Sequence, residues 1–211
     1  MTLTSRGLFA TDCEVSAARW VQRKLGDCHH ERRVLAIASK LFDLTRPHLG
    51  LGMAECRMLR LAALTHDVGR CISEKDHPEE GAKLILATTA MDLSPFDRRA
   101  LAFLACHHRG GVPTPMKELH LRPLDPRRPL RMVLALLRVA DALDSRVVAS
   151  PQLLMSINGR KLAVRCFVED EHYRDARRVY RRRKKFELLE TYLGDSIEVS
   201  VERAQRMAMA G

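Results

Sequence analysis

The chain has 211 residues, with 36 basic against 26 acidic side chains, a net charge of +10 and 46% hydrophobic residues. A chain of this length can bury about 70% of its unfolded surface, which excludes both a disulfide-dependent scaffold and an intrinsically disordered segment. The longest apolar stretch, Leu130 to Leu143, is interrupted by arginines, and Met1 to Cys13 has no apolar signal core, so the expectation is a cytoplasmic protein with no membrane contact.

Thr11-Asp12 can cap a first helix that runs to about Leu25 and ends at Gly26. A second begins between Asp27 and His30, carries Val34, Ile37, Ala38, Leu41 and Phe42 on one stripe, and is expected to stop before Pro47. Ala54 to Thr65 reads as a third, strongly apolar helix, broken by Gly69. His77-Pro78 opens a fourth helix and Ser94-Pro95 a fifth, because proline suits the first helical turn; the fifth ends at His108, before Gly110-Gly111. A loop with five prolines follows from Val112 to Pro129, and Leu130 to Arg146 is a long buried helix.

After Pro151 the pattern changes. Leu153 to Asn158 and Lys161 to Val168 read as strands joined at Asn158-Gly159, a strong hairpin signal. A basic helix from about Glu171 to Leu193 and a last strand, Ser196 to Val201, complete the chain. The fold class is mainly α: a helical domain, 1–150, with a small α+β tail, 151–211. The six cysteines form no C-x-x-C pair and read as reduced thiols.

The chemistry lies where histidines and aspartates fall on apolar helix stripes. His30 shares a face with Val34, Ile37 and Leu41; His66 with Leu59, Ala62 and Ala63; His108 with Leu101, Leu104 and Ala105. Asp141 and Asp144 share the stripe of Leu137 and Ala140 in the most apolar helix. A carboxylate aimed into such a core is costly unless it is paired or binds a metal. One buried histidine is ordinary, but several need a common cause, and imidazoles converging with carboxylates from different helices form a ligand set for divalent transition metals.

His30, His66-Asp67 and Asp141 resemble the H…HD…D pattern of the HD superfamily of metal-dependent phosphohydrolases, in the contexts H-E-R-R-V (30–34), L-A-A-L-T-H-D-V-G-R (61–70) and L-L-R-V-A-D-A-L-D (136–144). H-P-E-E-G-A-K-L-I (77–85) and A-C-H-H-R-G-G (105–111) are similar to the additional ligand segments of dinuclear members such as the HD-GYP phosphodiesterases, although His107-His108 leads here into Arg-Gly-Gly-Val-Pro. From about Cys13 to Val201 the chain also resembles the C-terminal HD-like region of the exopolyphosphatase/guanosine pentaphosphate phosphohydrolase (Ppx/GppA) family. The recognised catalytic site of that family lies in actin-like domains outside this region, so an activity here has to rest on the region's own histidines and acids.

The resemblance implies an HD-domain helical core and two metals. Asp67 would bridge them, with His30, His66 and Asp141 holding one and His77, His107 and His108 the other. Activated water would then attack phosphorus in line. Iron, manganese or a mixture suits such a set better than magnesium, which prefers oxygen. Arg70, placed where related phosphodiesterases carry a lysine, and Arg109 are the candidates for gripping a phosphate. Asp144 is expected to orient a ligand histidine or an arginine. The substrate class implied is a phosphodiester or phosphoanhydride, nucleotide or polyphosphate-like.

A second reading rests on charge. Arg174 to Lys185 holds eight basic residues against one aspartate, which suits a non-catalytic module for polyphosphate or nucleic acid with a structural metal. The apolar tail strands could pair in a homodimer.

Overall fold

The computed structural model describes residues 11–111, 130–146, 148 and 151–204. The proline-rich segment 112–129 lies outside them. Eight α-helices and a three-stranded sheet make up the described residues, a mainly α fold with a small β element at its C-terminal end.

Helix α1 (Asp12–Leu25) starts where the Thr11 hydroxyl accepts from the Glu14 amide, and ends at Gly26, whose φ of 83° suits glycine. Its Glu14 is buried and takes two hydrogen bonds from Arg60, tying α1 to α3 (Met53–Thr65). Helix α2 (His29–Leu49) continues through Pro47, where the sequence pattern suggested a stop. Proline there removes one amide from the final turn only, and the helix closes on Gly50 in the left-handed conformation.

After α3 the chain turns through a short 3₁₀ segment, Val68–Cys71, into α4 (His77–Ala87). Gly69 lies so close to α4 that a Cβ would stand 2.1 Å from the His77 carbonyl oxygen and 2.4 Å from the Gly81 nitrogen. Glycine at 69 therefore sets how tightly His66-Asp67 approaches His77. Helix α5 (Pro95–His107) begins with the Ser94 hydroxyl accepting from the Asp97 amide. Helix α6 (Leu130–Leu143), buried along most of its length, packs against α2, α3 and α5 as the central rod of the core.

The C-terminal part is an antiparallel hairpin, β1 (Gln152–Asn158) and β2 (Lys161–Val168), turning at Gly159 with φ 58°, and a strand β3 (Ile197–Arg203) parallel to β2. A parallel neighbour requires a crossover, and the basic segment supplies it. That segment is not the single helix expected. It forms α7 (Tyr173–Tyr180), a 3₁₀ turn over Arg183–Lys185, and α8 (Glu187–Leu193). A continuous helix would stack the like charges of Arg178, Arg181, Arg182 and Lys185 at spacings of three and four residues. The break instead lets Phe186 bury and Arg183 reach the Ile197 carbonyl at 2.8 Å.

Alternation along β2 sends Leu162, Val164, Cys166 and Val168 inward, in one hydrophobic cluster with the helices. Tyr180 donates to the Leu143 carbonyl at 2.8 Å, fastening α7 to the end of α6. None of the six cysteines forms a disulfide, and no described helix is long and apolar enough to cross a membrane.

Candidate metal centre

Six side chains from five segments meet at one buried point: His30 from the first turn of α2, His66 at the end of α3, Asp67 just after it, His77 opening α4, His108 just past α5, and Asp141 in the last turn of α6. His30, His66, Asp67, His77 and His108 are at most 3% exposed.

Each imidazole is oriented through its Nδ1. His66 Nδ1 donates to the Ala63 carbonyl (3.0 Å), His77 Nδ1 to that of Glu74 (2.7 Å) and His108 Nδ1 to that of Ala105 (2.6 Å). His30 Nδ1 donates to the carboxylate of Asp144 at 2.7 Å, and Arg33 donates to the other Asp144 oxygen at 2.8 Å. A carbonyl can only accept, so each of the three rings bonded to one carries a proton on Nδ1, and Nε2 is the atom it aims at the centre.

Those Nε2 atoms face carboxylate oxygens at distances long for hydrogen bonds. His77 and His108 stand 3.2 and 3.3 Å from Asp67 Oδ1, and His30 and His66 stand 3.4 and 3.7 Å from Asp141 Oδ1. Nε2 of His30, His66 and His108 is buried without any hydrogen-bond partner. A buried polar atom left unpaired costs about 1–3 kcal/mol, and here three such atoms converge on two acids. The arrangement fits a divalent cation. Donors bound to one ion at about 2.1 Å lie about 3 Å or slightly more from each other, which is the spacing found. Two overlapping groups, His30-His66-Asp67 and Asp67-His77-His108, share Asp67, and Asp141 joins His66 and His108 in a third.

The electrostatics are uneven across the cluster. Burial works against charging His30, but Asp141 and Asp144 outweigh it and lift its pKa to about 9. Burial dominates at His108 and pushes it down to about 4. Burial also opposes the charges of Asp67 and Asp141, yet His66, His108 and His77 around the first, and Lys185, His30 and His66 around the second, hold both carboxyls well below the usual range.

Cations close the open side. Arg70 donates to Asp67 Oδ2 at 2.6 Å and also binds Glu74; Arg146 bridges Asp67 Oδ2 and Glu31, both at 3.0 Å; Lys185 binds Asp141 Oδ2. Above them lies a pocket of about 590 Å³ whose wall includes His30, Asp67, Asp141, Arg70, Arg109, Arg146, Arg182, Lys184 and Lys185, with apolar Ala142 and Val179. The basic run is thereby divided. Residues 182, 184 and 185 face this pocket, while Arg174, Arg177, Arg178 and Arg181 line a separate concavity with Arg203 and Tyr173.

Of the expected ligands, the structure gathers His30, His66, Asp67, His77, His108 and Asp141 and leaves His107 outside. The His107 ring packs on Phe103, with centroids 4.6 Å apart. Adjacent residues near a helix end point about 100° apart, and here it is His108 that the turn aims at Asp67, with Nε2 3.3 Å from Oδ1. The stripe of Leu101, Leu104 and Ala105 already carried that distinction. Arg70 and Arg109 line the pocket, Arg70 on Asp67 and Arg109 with Nη1 3.4 Å from His77 Nε2.

Sequence reasoning missed four residues. Glu31, Arg146 and Lys185 carry no signal beyond charge. Arg138, 2% exposed, donates to the carbonyls of His107 (3.0 Å) and Gly110 (2.9 Å) and so fixes the turn that presents His108. An arginine in the most apolar helix, three residues before Asp141, was its only trace.

Among comparisons with known proteins, the family model for Ppx/GppA phosphatase, domain III, matches residues 16–180. No curated protein matches the chain. The matched span covers well over half of the chain, from α1 through the entire histidine–aspartate cluster to the end of α7, and on that extent the chain belongs to the Ppx/GppA phosphatase family.

Proposed function

We propose that this chain is a metal-dependent phosphohydrolase of the HD superfamily that cleaves a phosphodiester or phosphoanhydride with activated water. The carrying observation is the set of buried, unpartnered Nε2 atoms of His30, His66 and His108 converging on Asp67 and Asp141. A divalent transition metal held by these residues, His77 included, would supply Lewis acidity and would lower the pKa of a bound water to about 7. A nitrogen-rich set of this kind favours iron, manganese or both over magnesium, and Asp67, common to two groups of donors, is the residue two ions would share.

The protein's own contribution is orientation and charge. Asp144 and three backbone carbonyls hold the imidazoles in the tautomer that offers Nε2. Arg70 and Arg109, at the pocket wall, are placed to take phosphoryl oxygens, and Arg146, Arg182, Lys184 and Lys185 give the pocket a positive field suited to a phosphate-bearing substrate. Ala142 and Val179 exclude water from part of the wall.

Elemental analysis of the purified full chain, with turnover of a chromogenic aryl phosphodiester and of inorganic tripolyphosphate, tests this reading. Bound transition metal and metal-dependent turnover are expected, and both should vanish in the His66→Ala/Asp67→Ala double variant. Turnover retained by a metal-free double variant would overturn it. The separate concavity at Arg174, Arg177, Arg178, Arg181 and Arg203, in which these arginines outnumber Asp170 and Glu171, favours one alternative: a polyanion-binding module. It requires salt-sensitive polyphosphate binding that persists without metal and is accompanied by no hydrolysis.

A further inference from the structure

Lys185 occupies an unusual place. It belongs to the C-terminal crossover, yet its ammonium binds Oδ2 of Asp141 on α6, the carboxylate whose other oxygen faces His30 and His66. The 3₁₀ turn at Arg183–Lys185 is what carries it there, between the buried Tyr180 and Phe186, which anchor the segment on either side. Its side chain is 28% exposed and borders the 590 Å³ pocket. The neighbouring Lys184 and Arg182 border the same pocket without an ion pair among the described residues.

Resting on the reading above, we infer that Lys185 is an exchangeable counter-ion, which neutralises Asp141 when no metal is held and turns to substrate phosphate when metal takes that charge. The argument is one of charge balance. A divalent cation among His30, His66, Asp67 and Asp141 meets a carboxylate already paired with an ammonium, so two positive groups compete for Asp141. Lys185 is the one that can leave, because its flexible stem opens on the pocket while the carboxylate is fixed in the core. Once released it remains in a pocket already lined by Arg70, Arg109 and Arg146, where a bound phosphate offers it a partner. Metal and phosphate then bind with positive linkage, each tightening the other by the same factor. Arg146 is a weaker candidate for the same exchange, because Glu31 retains it when Asp67 is taken.

The test is titration calorimetry on the full chain, using Mn²⁺ alone, inorganic phosphate alone, which holds no anhydride bond to cleave, and each in the presence of the other. In the wild-type chain, phosphate should tighten Mn²⁺ binding and Mn²⁺ should tighten phosphate binding by equal factors. Lys185→Met keeps the stem and removes the charge. It should tighten Mn²⁺ binding by roughly tenfold, weaken phosphate binding to the Mn²⁺-loaded chain by a similar factor, and shrink the linkage. Lys184→Met, which touches no ligand carboxylate, should weaken phosphate binding while Mn²⁺ affinity stays unchanged. Unchanged or weaker Mn²⁺ binding in Lys185→Met would overturn the exchange while leaving the metal centre standing. Absence of linkage in the wild-type chain overturns it too, and that measurement needs no variant. A wild-type chain that binds no Mn²⁺, iron or zinc defeats the functional reading, and this inference with it.

Discussion

The two sides of the cluster are built from the same side chains and behave oppositely. On one side, His30 is backed by a carboxylate, Asp144, which Arg33 holds in turn; on the other, His108 is backed by the carbonyl of Ala105. Both rings are buried, and their pKa values are driven apart, to about 9 and about 4. Burial alone makes an imidazole a neutral lone pair, whereas burial against an anion makes it a strong base whose lone pair is taken by a proton until a better cation arrives. The Asp144 side should therefore bind metal more tightly but only after releasing a proton, and the Ala105 side should bind more weakly with none to release.

The largest effect is expected from Asp67→Asn, which removes the ligand shared by both sides. Metal content and turnover should fall below detection, measured by elemental analysis and phosphate release. Asp144→Asn breaks one side only. It should weaken metal binding by about 10–100-fold through His30, with no loss of fold, and a chelator competition assay reads it directly. Gly69→Ala strikes the other side by forcing a Cβ against the His77 carbonyl. A stability loss of about 1–3 kcal/mol in denaturant, with reduced metal content, is expected.

The pH response follows from the two shifts. A histidine raised in the folded state, His30, adds stability that is complete below its unfolded pKa of about 6.5 and is lost as pH rises through about 9. A histidine depressed in the folded state, His108, adds stability present above about 6.5 and lost as pH falls toward about 4. The chelated protein should accordingly be most stable near neutral pH and decline on both sides, by on the order of 3 kcal/mol on each limb. Denaturant titrations across pH check this, and Asp144→Asn should shrink the alkaline limb, leaving the part that Asp141 contributes. Metal affinity should rise over that same alkaline window as His30 gives up its proton. The smallest effect belongs to His107→Ala: metal content unchanged and a stability change within about 1 kcal/mol, from a lost ring contact with Phe103. His108→Ala, one residue on, should remove the metal of its side.

Much of the helical layout was legible because its signals are local. Thr11 and Ser94 cap by their own hydroxyls, Gly26 and Gly159 take positive φ, and alternation from Lys161 to Val168 marks a strand whose inner face is buried. Pro47 and the Glu171–Leu193 segment were misread for the opposite reason. A proline is tolerated in a closing turn, and a run of cations breaks a helix when breaking it lets Phe186 bury and Arg183 find the Ile197 carbonyl. Neither outcome can be decided within the segment itself.

For the candidate centre, periodicity by itself marked His30, His66, His108 and Asp141, because one helical period is enough to send residues on an apolar stripe inward; Asp67 and His77 entered through the resemblance to HD phosphohydrolases, which nominated His107 as well. Tertiary structure alone decided which imidazole is basic and which is neutral, because that depends on whether carboxylates, Asp141 and Asp144 at His30, outweigh burial, as they do not at His108. It alone brought Arg138, Arg146 and Lys185 to the site from distant positions in the chain. Periodicity specifies the face a residue occupies, and only the packing of separate segments specifies what that face meets.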